Sequence, residues 1–387
     1  MTARLYADHA TTTPLDPRVR AAMLPFLGDE YGSPLSLHAR GRRIQHLVEA
    51  ARADVATLLG VTPDEILFAG SATEANNLAL KGTLQAASPG TRVLAAATEH
   101  ISVLHPLRTL ARAGLELRLL PVDGLGMLDP DLLRRELRGG AALVSVAHAS
   151  AEIGTLQPIA DLAQIARAAA VPMHCDATAS AGLVALGDAE HLPDLVTFAP
   201  HLFGGPQGIA ALRAARGHRL RPLVEGGTQE GGLRAGTQSV AGIAGFAAAA
   251  MLARSERAER AARAAALADD LRHRILKAVA DVVLTGHPGM RLPGHLSLCV
   301  DGVEAEAALR DLDEAGVEAA SGSPCTTTAG KPSHVLEAIG IPPRLARGAL
   351  TFMFGAGNGP GDAERVAAAL SAAATRLRAL GPIGGRD

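Results

Sequence analysis

The chain has 387 residues, 48% hydrophobic and 20% charged, enough to bury a large core and to fill one large domain with a smaller one beside it. Its 37 basic and 39 acidic residues leave a formal net charge of -2, which excludes the electrostatic footprint of a nucleic-acid or anionic-membrane binder. No apolar run reaches the roughly 20 residues of a membrane span, and the segment from Met1 to Tyr6 has no apolar leader, so the cytoplasm is the expected compartment.

In chain order, apolar runs at 91–97, 141–147 and 195–198 read as strands, with a helical pattern over 158–170 between the second and third. The runs show little polar alternation, which predicts strands covered on both faces in a largely parallel α/β sheet. An Ala/Arg/Glu-rich stretch over 240–282 predicts one long helix leading into a C-terminal unit, with Arg254, Glu256, Glu259 and Arg260 on its solvated face. From about 281 to 380 the α/β alternation repeats on a smaller scale, and 381–387 is a low-complexity tail. The expected organisation is an N-terminal segment 1–15 packing with the small domain, a large domain 16–255, and a small domain 256–387.

Cys175, Cys299 and Cys325 are too few and too scattered for a disulfide framework or a self-contained zinc site. Cys299, in the apolar run 295–300, reads as a core residue. Cys175 is expected on a sheet facing either a cleft or the core. Cys325 differs, lying in a Ser/Gly/Pro/Thr-rich stretch over 321–330 where an exposed thiolate could carry sulfur or ligate iron. The lysines are Lys81, Lys277 and Lys331.

Several motifs stand in one order along the chain: Ala7-Asp8-His9-Ala10-Thr11-Thr12, Ser71-Ala72-Thr73-Glu74-Ala75-Asn76-Asn77-Leu78, Thr98-Glu99-His100, Glu152-Ile153-Gly154 and His174-Cys175-Asp176-Ala177-Thr178. They continue through Pro200-His201-Leu202-Phe203-Gly204-Gly205-Pro206, Gly226-Gly227-Thr228, Arg234-Ala235-Gly236-Thr237 and Ser321-Gly322-Ser323-Pro324-Cys325. In this order the set resembles the cysteine desulfurases of the NifS/IscS type, within the class V aminotransferases of the fold-type I pyridoxal-phosphate enzymes. The resemblance runs from about Tyr6 to Leu370. It implies a large domain with a mostly parallel seven-stranded sheet flanked by helices, and a smaller C-terminal α/β domain.

The resemblance also implies roles. Asp176 is the partner of a pyridine nitrogen, His100 stacks on the ring, and Thr73, His201 and a partner subunit's equivalent of Thr237 hold phosphate. The family pattern is broken elsewhere: Leu202 stands where the cofactor lysine belongs, Ala151 for an asparagine, Ala179 for a glutamine, Ala199 for a phosphate-binding serine, and Thr351 for the arginine that holds the substrate carboxylate. A hydroxyl cannot replace a bidentate guanidinium. Pyridoxal phosphate is therefore the cofactor the family implies, held weakly or not at all. If it is absent, Asp176 needs another partner, for which His100, His201 or water are the candidates. Glu74, Glu152 and Arg234 read as helix-cap or subunit-contact residues.

Three functions fit these residues. One is a desulfurase relative of sulfur or iron-sulfur cluster metabolism that has lost ordinary desulfuration. It would act through Cys325, as a persulfide carrier or cluster ligand, toward a scaffold or sulfur-acceptor protein. Another is an active cysteine desulfurase with non-covalently bound pyridoxal phosphate, and the third is a structural or regulatory pseudoenzyme. A homodimer is expected in each case, because the family builds its site from two subunits; neither nucleic acid nor membrane is an expected partner.

Overall fold

The computed structural model describes residues 4–322 and 333–381; Cys325 and Lys331 lie outside them. A seven-stranded sheet forms the centre, in the order Ile66–Ala69, Ala210–Ala214, Leu195–Phe198, Met173–Asp176, Leu143–Ser145, Arg92–Ala96, Glu116–Leu120. Ala210–Ala214 pairs antiparallel with both of its neighbours, and the other pairings are parallel. Successive side chains of these strands alternate between two apolar cores. Leu94, Val144, Cys175 and Val196 enter one, and Val93, Ala95, Leu143 and Leu195 enter the other. Burial on both faces explains why the strands read as continuous apolar runs rather than alternating ones. The runs expected at 91–97 and 141–147 are shorter as strands, Arg92–Ala96 and Leu143–Ser145, and the helix expected over 158–170 is Ile159–Ala168.

A second sheet of four strands, in the order Ala320–Ser321, Ala349–Met353, His295–Val300, Val282–Leu284, is antiparallel throughout. Its core joins Leu298, Val300, Leu350 and Phe352 to Val366 and Leu370 of the helix Asp362–Ala379, and takes in Leu5 and Ala7 from the N-terminus. The short strand Leu5–Tyr6 pairs parallel with Val317–Glu318, which holds the start of the chain against this second unit.

The two cores are bridged by the 39-residue helix Val240–Ala278. Ile243, Phe246, Ala250 and Ala253 pack into the large core, whereas Leu271 and Ile275 belong to the second. The helix stops at Ala278 instead of reaching 282, because Val282–Leu284 is taken as an edge strand by His295–Val300. Sheet pairing overrides the helical composition of the preceding stretch. Arg260 and Glu256 form an i,i+4 ion pair on the solvated face, and both also meet the Asp16 and Arg18 pair at the helix Pro17–Met23.

Candidate functional site

A cavity of about 430 Å³ opens where the C-terminal ends of the parallel strands meet the second sheet. This is the end at which open α/β sheets place their ligands. His100 follows Arg92–Ala96, Ala151 and Glu152 follow Leu143–Ser145, Asp176 closes Met173–Asp176, and His201 and Leu202 follow Leu195–Phe198. The roof comes from the second sheet: Ser321, Gly322 and Thr351. Ser71 caps the 13-residue helix Ala72–Leu84 by accepting from the Glu74 N–H, and brings Ala72 and Thr73 to the cavity.

Of the residues singled out in the sequence, Thr73, His100, Asp176, His201, Ala151, Ala179, Leu202 and Thr351 all line this cavity. Ala199 does not, being fully buried under the turn Pro200–Leu202. Thr237 lies apart, with Gly70, Glu230 and Arg234 around a separate cleft. Cys325 is outside the described residues. Glu74 and Arg234 pair with each other at 2.7 Å, and Glu74 also accepts from the Gly70 N–H.

Asp176 has partners other than the expected ones. Its Oδ2 accepts from the Asn76 amide at 2.7 Å and its Oδ1 from the Thr178 N–H at 2.9 Å, so neither His100 nor His201 is needed to satisfy it. The Asn76 Nδ2 donates its second hydrogen to Ser102 Oγ at 2.9 Å. Ser102 Oγ in turn lies 2.7 Å from His100 Nδ1, which also accepts the Ser102 N–H. This fixes the direction of the chain: Asn76 donates, Ser102 relays, and His100 Nδ1 accepts, leaving its Nε2 to carry the proton. Burial lowers the pKa of His201, against an opposing pull from Asp176.

Beneath this network lies Glu99, wholly buried. Its Oε1 accepts from Ser145 Oγ, which contacts His174 Nδ1, and His174 Nε2 reaches Thr197 Oγ1. Burial, reinforced by the Asp176 carboxylate, pushes Glu99 up to about 8, and burial pushes His174 down to about 4. The pair is therefore neutral at pH 7, which is how two carboxyl groups coexist here. Glu152 is a second buried acid, pushed by burial to about 8, and its Oε1 has no partner. Cys175 is fully buried, its thiol raised well above the ordinary range by burial and then by Asp176 and Glu99. Cys299 is likewise a core residue, pushed up to about 12 by burial. Neither is a reactive thiol.

Asn76, Ser102, Glu99 and Glu152 are the site groups that sequence reasoning left without a role at the cavity. Asn76 was within reach: on Ala72–Leu84 it stands one turn from Thr73, on the face that points at the site. Gly154 matters for the turn that carries Glu152. It has φ +75°, and a Cβ there would stand 2.5 Å from the His295 ring.

Pyridoxal phosphate fits this cavity only in part. Asp176, His100 and the capped start of Ala72–Leu84 are placed for a pyridine ring and a phosphate. Among the described residues no covalent anchor lines it: the position that the resemblance gives to the lysine carries the Leu202 side chain, 7% exposed, and neither Lys81 nor Lys277 lines the cavity. Thr351, at the position that the resemblance gives to the carboxylate-binding arginine, has its hydroxyl on the Glu152 carbonyl at 3.3 Å. The described residues do not fit a lysine-bound cofactor acting on an amino acid.

Comparison with known proteins gives a consistent family. The aminotransferase class-V model matches residues 5–353. The chain is 38% identical over 383 residues to cysteine desulfurase IscS of Dictyoglomus turgidum, covering 99% of this chain and 97% of that protein. It is 37% identical to cysteine desulfurase IscS 1 of Archaeoglobus fulgidus, covering 98% and 99%. Among solved structures, a NifS-like protein superposes with a TM-score of 0.90 at 29% identity, over 96% of this chain and all of that one. Among the described residues no helix is long and apolar enough to cross a membrane, and no group of three or more His, Cys, Asp or Glu is arranged to hold a metal ion.

Proposed function

The chain belongs to the aminotransferase class-V family, and we propose that it works in sulfur or iron-sulfur cluster metabolism without the lysine-dependent desulfuration of its cysteine desulfurase relatives. The observation that carries this is Leu202, whose apolar side chain is packed into the cavity wall among described residues that include no lysine or arginine. The internal base and covalent anchor of the family chemistry have no replacement among those described residues. In this reading Cys325 is the working group. Its thiolate attacks the outer sulfur of a persulfide donor, the S–S bond breaks, the donor leaves as a thiolate, and Cys325 holds the sulfur for a scaffold or acceptor protein. No net electrons move. An iron-sulfur cluster ligated by Cys325 is the other form of the same role.

The reading includes a cytoplasmic homodimer, with a small unit 256–387, a large unit 16–255, and a segment 1–15 packed on the small one. Supporting the dimer, Leu27, Tyr31, Leu35 and Leu37 are each more than half exposed on one stretch of chain, and Leu37 is 89% exposed. A second copy of the chain is the occupant proposed for that surface. Light scattering behind a sizing column should give twice the chain mass, and a monomer would remove this part of the reading.

One observation favours a second reading, that of an active desulfurase with unlinked cofactor: the cavity is open, and Asp176 and His100 stand in it. The deciding experiment is an absorption spectrum of the protein purified anaerobically with pyridoxal phosphate and iron, for wild type and Cys325→Ser, together with an assay for alanine from cysteine. We expect no alanine, and a sulfur-dependent band lost in the variant. Alanine release with a cofactor band that survives Cys325→Ser would establish the second reading, and a colourless, inactive protein in both would leave a structural or regulatory pseudoenzyme.

A further inference from the structure

Two described residues bracket the stretch that carries Cys325: Gly322, which follows the strand Ala320–Ser321, and Ser333, which caps the helix His334–Ala338. One side chain from the large sheet touches both. Ser333 Oγ accepts the Val335 and Leu336 N–H groups at 3.1 and 3.2 Å, which occupies its two lone pairs, so its own hydrogen goes to the Glu152 carboxyl, its remaining hydrogen-bond partner. Gly322 lies against the same carboxyl from the other end. A Cβ there would stand 3.0 Å from Glu152 Oε1 and 3.3 Å from its Cγ, so an ordinary side chain at 322 would press on a group that is itself buried.

The turn that carries Glu152 is docked on the second unit by its neighbours as well. The Ala151 carbonyl accepts from His295 Nε2 at 2.9 Å, the Glu152 carbonyl accepts from Thr351 Oγ1, and Ile153 shares an apolar cluster with Val335, Leu336 and Ile339. Thr351 itself pairs across the strands with Ala320, two residues before Gly322. Burial pushes the Glu152 carboxyl up to about 8, so it is uncharged at pH 7 and lies in this contact without a cation. With Ser333 on one oxygen and Oε1 left open but buried, it is turned toward the chain on either side of Cys325 and away from solvent.

We infer that Glu152 is a positioning residue for Cys325: its carboxyl fixes Gly322 and Ser333, the residues between which the Cys325 stretch is strung, and so restrains the access of reagents to the thiol. The inference rests on the reading that Cys325 is the working group, and it names the residue of the large unit that governs it. The control acts through the two bracketing residues, since Glu152 touches both and each is joined to Cys325 by a few residues of chain.

The test is alkylation of the full chain by iodoacetamide at pH 7, read by mass at each cysteine. Cys175 and Cys299 are buried, so label there marks unfolding and label at Cys325 alone marks release. Glu152→Ala should speed labelling of Cys325 about fivefold, the factor set by one lost hydrogen bond, and hydrogen exchange at the Val335 and Leu336 amides should quicken with it. Glu152→Gln, of the same shape and uncharged, should keep the wild-type rate. Ser333→Ala and Gly322→Ala should each speed labelling in the wild-type background and add nothing to Glu152→Ala, because they break the same contact. Unchanged or slower labelling in Glu152→Ala, or single effects that add in full, would overturn the inference. Should Glu152→Ala unfold and label all three cysteines, Ser333→Ala decides, and a wild-type rate in that variant overturns it. The same proteins are treated with glutathione persulfide. A Cys325 that follows these rates yet takes up no sulfur would sink the functional reading and leave the positioning by Glu152 standing, whereas sulfur uptake with rates indifferent to Glu152 would sink this inference alone.

Discussion

The two sides of the cavity have had different fates. Around Asp176 the polar groups are linked to one another: Asn76 bridges Asp176 and Ser102, and Ser102 meets His100, while Asn76 Oδ1 and Glu99 Oε2 have no partner. Elsewhere in the lining stand Leu202, Ala179, Ala151 and Thr351, at positions to which the resemblance gives lysine, amides and arginine. Burial explains the difference. A carboxylate already paired within the fold costs little to keep when a ligand is lost, whereas a lysine or arginine facing an empty chamber is an uncompensated buried charge. Retained residues thus report internal pairing as much as activity. Glu152 and Glu99 are both buried acids with one unmet oxygen.

The comparison breaks most directly at Asn76. Asn76→Leu removes the amide from a buried carboxylate, and we expect a loss of about 3 kcal/mol in urea denaturation. A loss below about 1 kcal/mol would mean that the polar side is not self-sustaining. Leu202→Lys tests the other side. Placing an ammonium among the apolar lining should cost about 2 kcal/mol, and added pyridoxal phosphate should recover the melting temperature and give a visible band. Leu202→Met, close in volume, should cost less than about 1.5 kcal/mol.

The pH dependence of stability sets the two kinds of buried group against each other. Burial pushes His9, His148 and His174 down to about 4 and His295 to about 3, so the unfolded chain binds protons that the fold does not. Their effect makes stability rise with pH up to their ordinary value of 6.5. Glu99 and Glu152, pushed up to about 8 from 4.5, keep protons that the unfolded chain releases. Their contribution is fully present below 4.5 and is lost as pH rises to about 8. The histidines outnumber the glutamates at acid pH, and only the glutamates act above 6.5, so thermal stability should peak near pH 6.5. A plateau from pH 6.5 to 8 would show that Glu99 and Glu152 ionise normally. At the small end, Arg216→Ala breaks an ion pair with Asp64 that is exposed on both sides, and its melting temperature should match wild type.

Local pattern carried a great deal of this protein. The apolar runs around 93, 143 and 195 identified central strands because burial on both faces leaves a continuous signature in the chain itself. Motif order gave the family, and with it the positions of Thr73, His100, Asp176, His201 and Leu202 around one cavity. Cys299 was legible as core from its apolar neighbours. The end of the long helix was not, since Ala278 and Val282 were assigned by a strand arriving from 295–300.

The sequence by itself determined which side chains stand at 202 and 351, because leucine and threonine there are properties of the chain. Only the tertiary structure decided what the remaining groups do. Asn76 and Asp176 are 100 residues apart, and their 2.7 Å hydrogen bond exists because the start of a helix meets the C-terminal end of the central strand of the sheet. Whether a buried carboxyl is paired, as Asp176 is, or left open, as Glu152 is, depends on distances between segments. No periodicity or spacing along the chain encodes them.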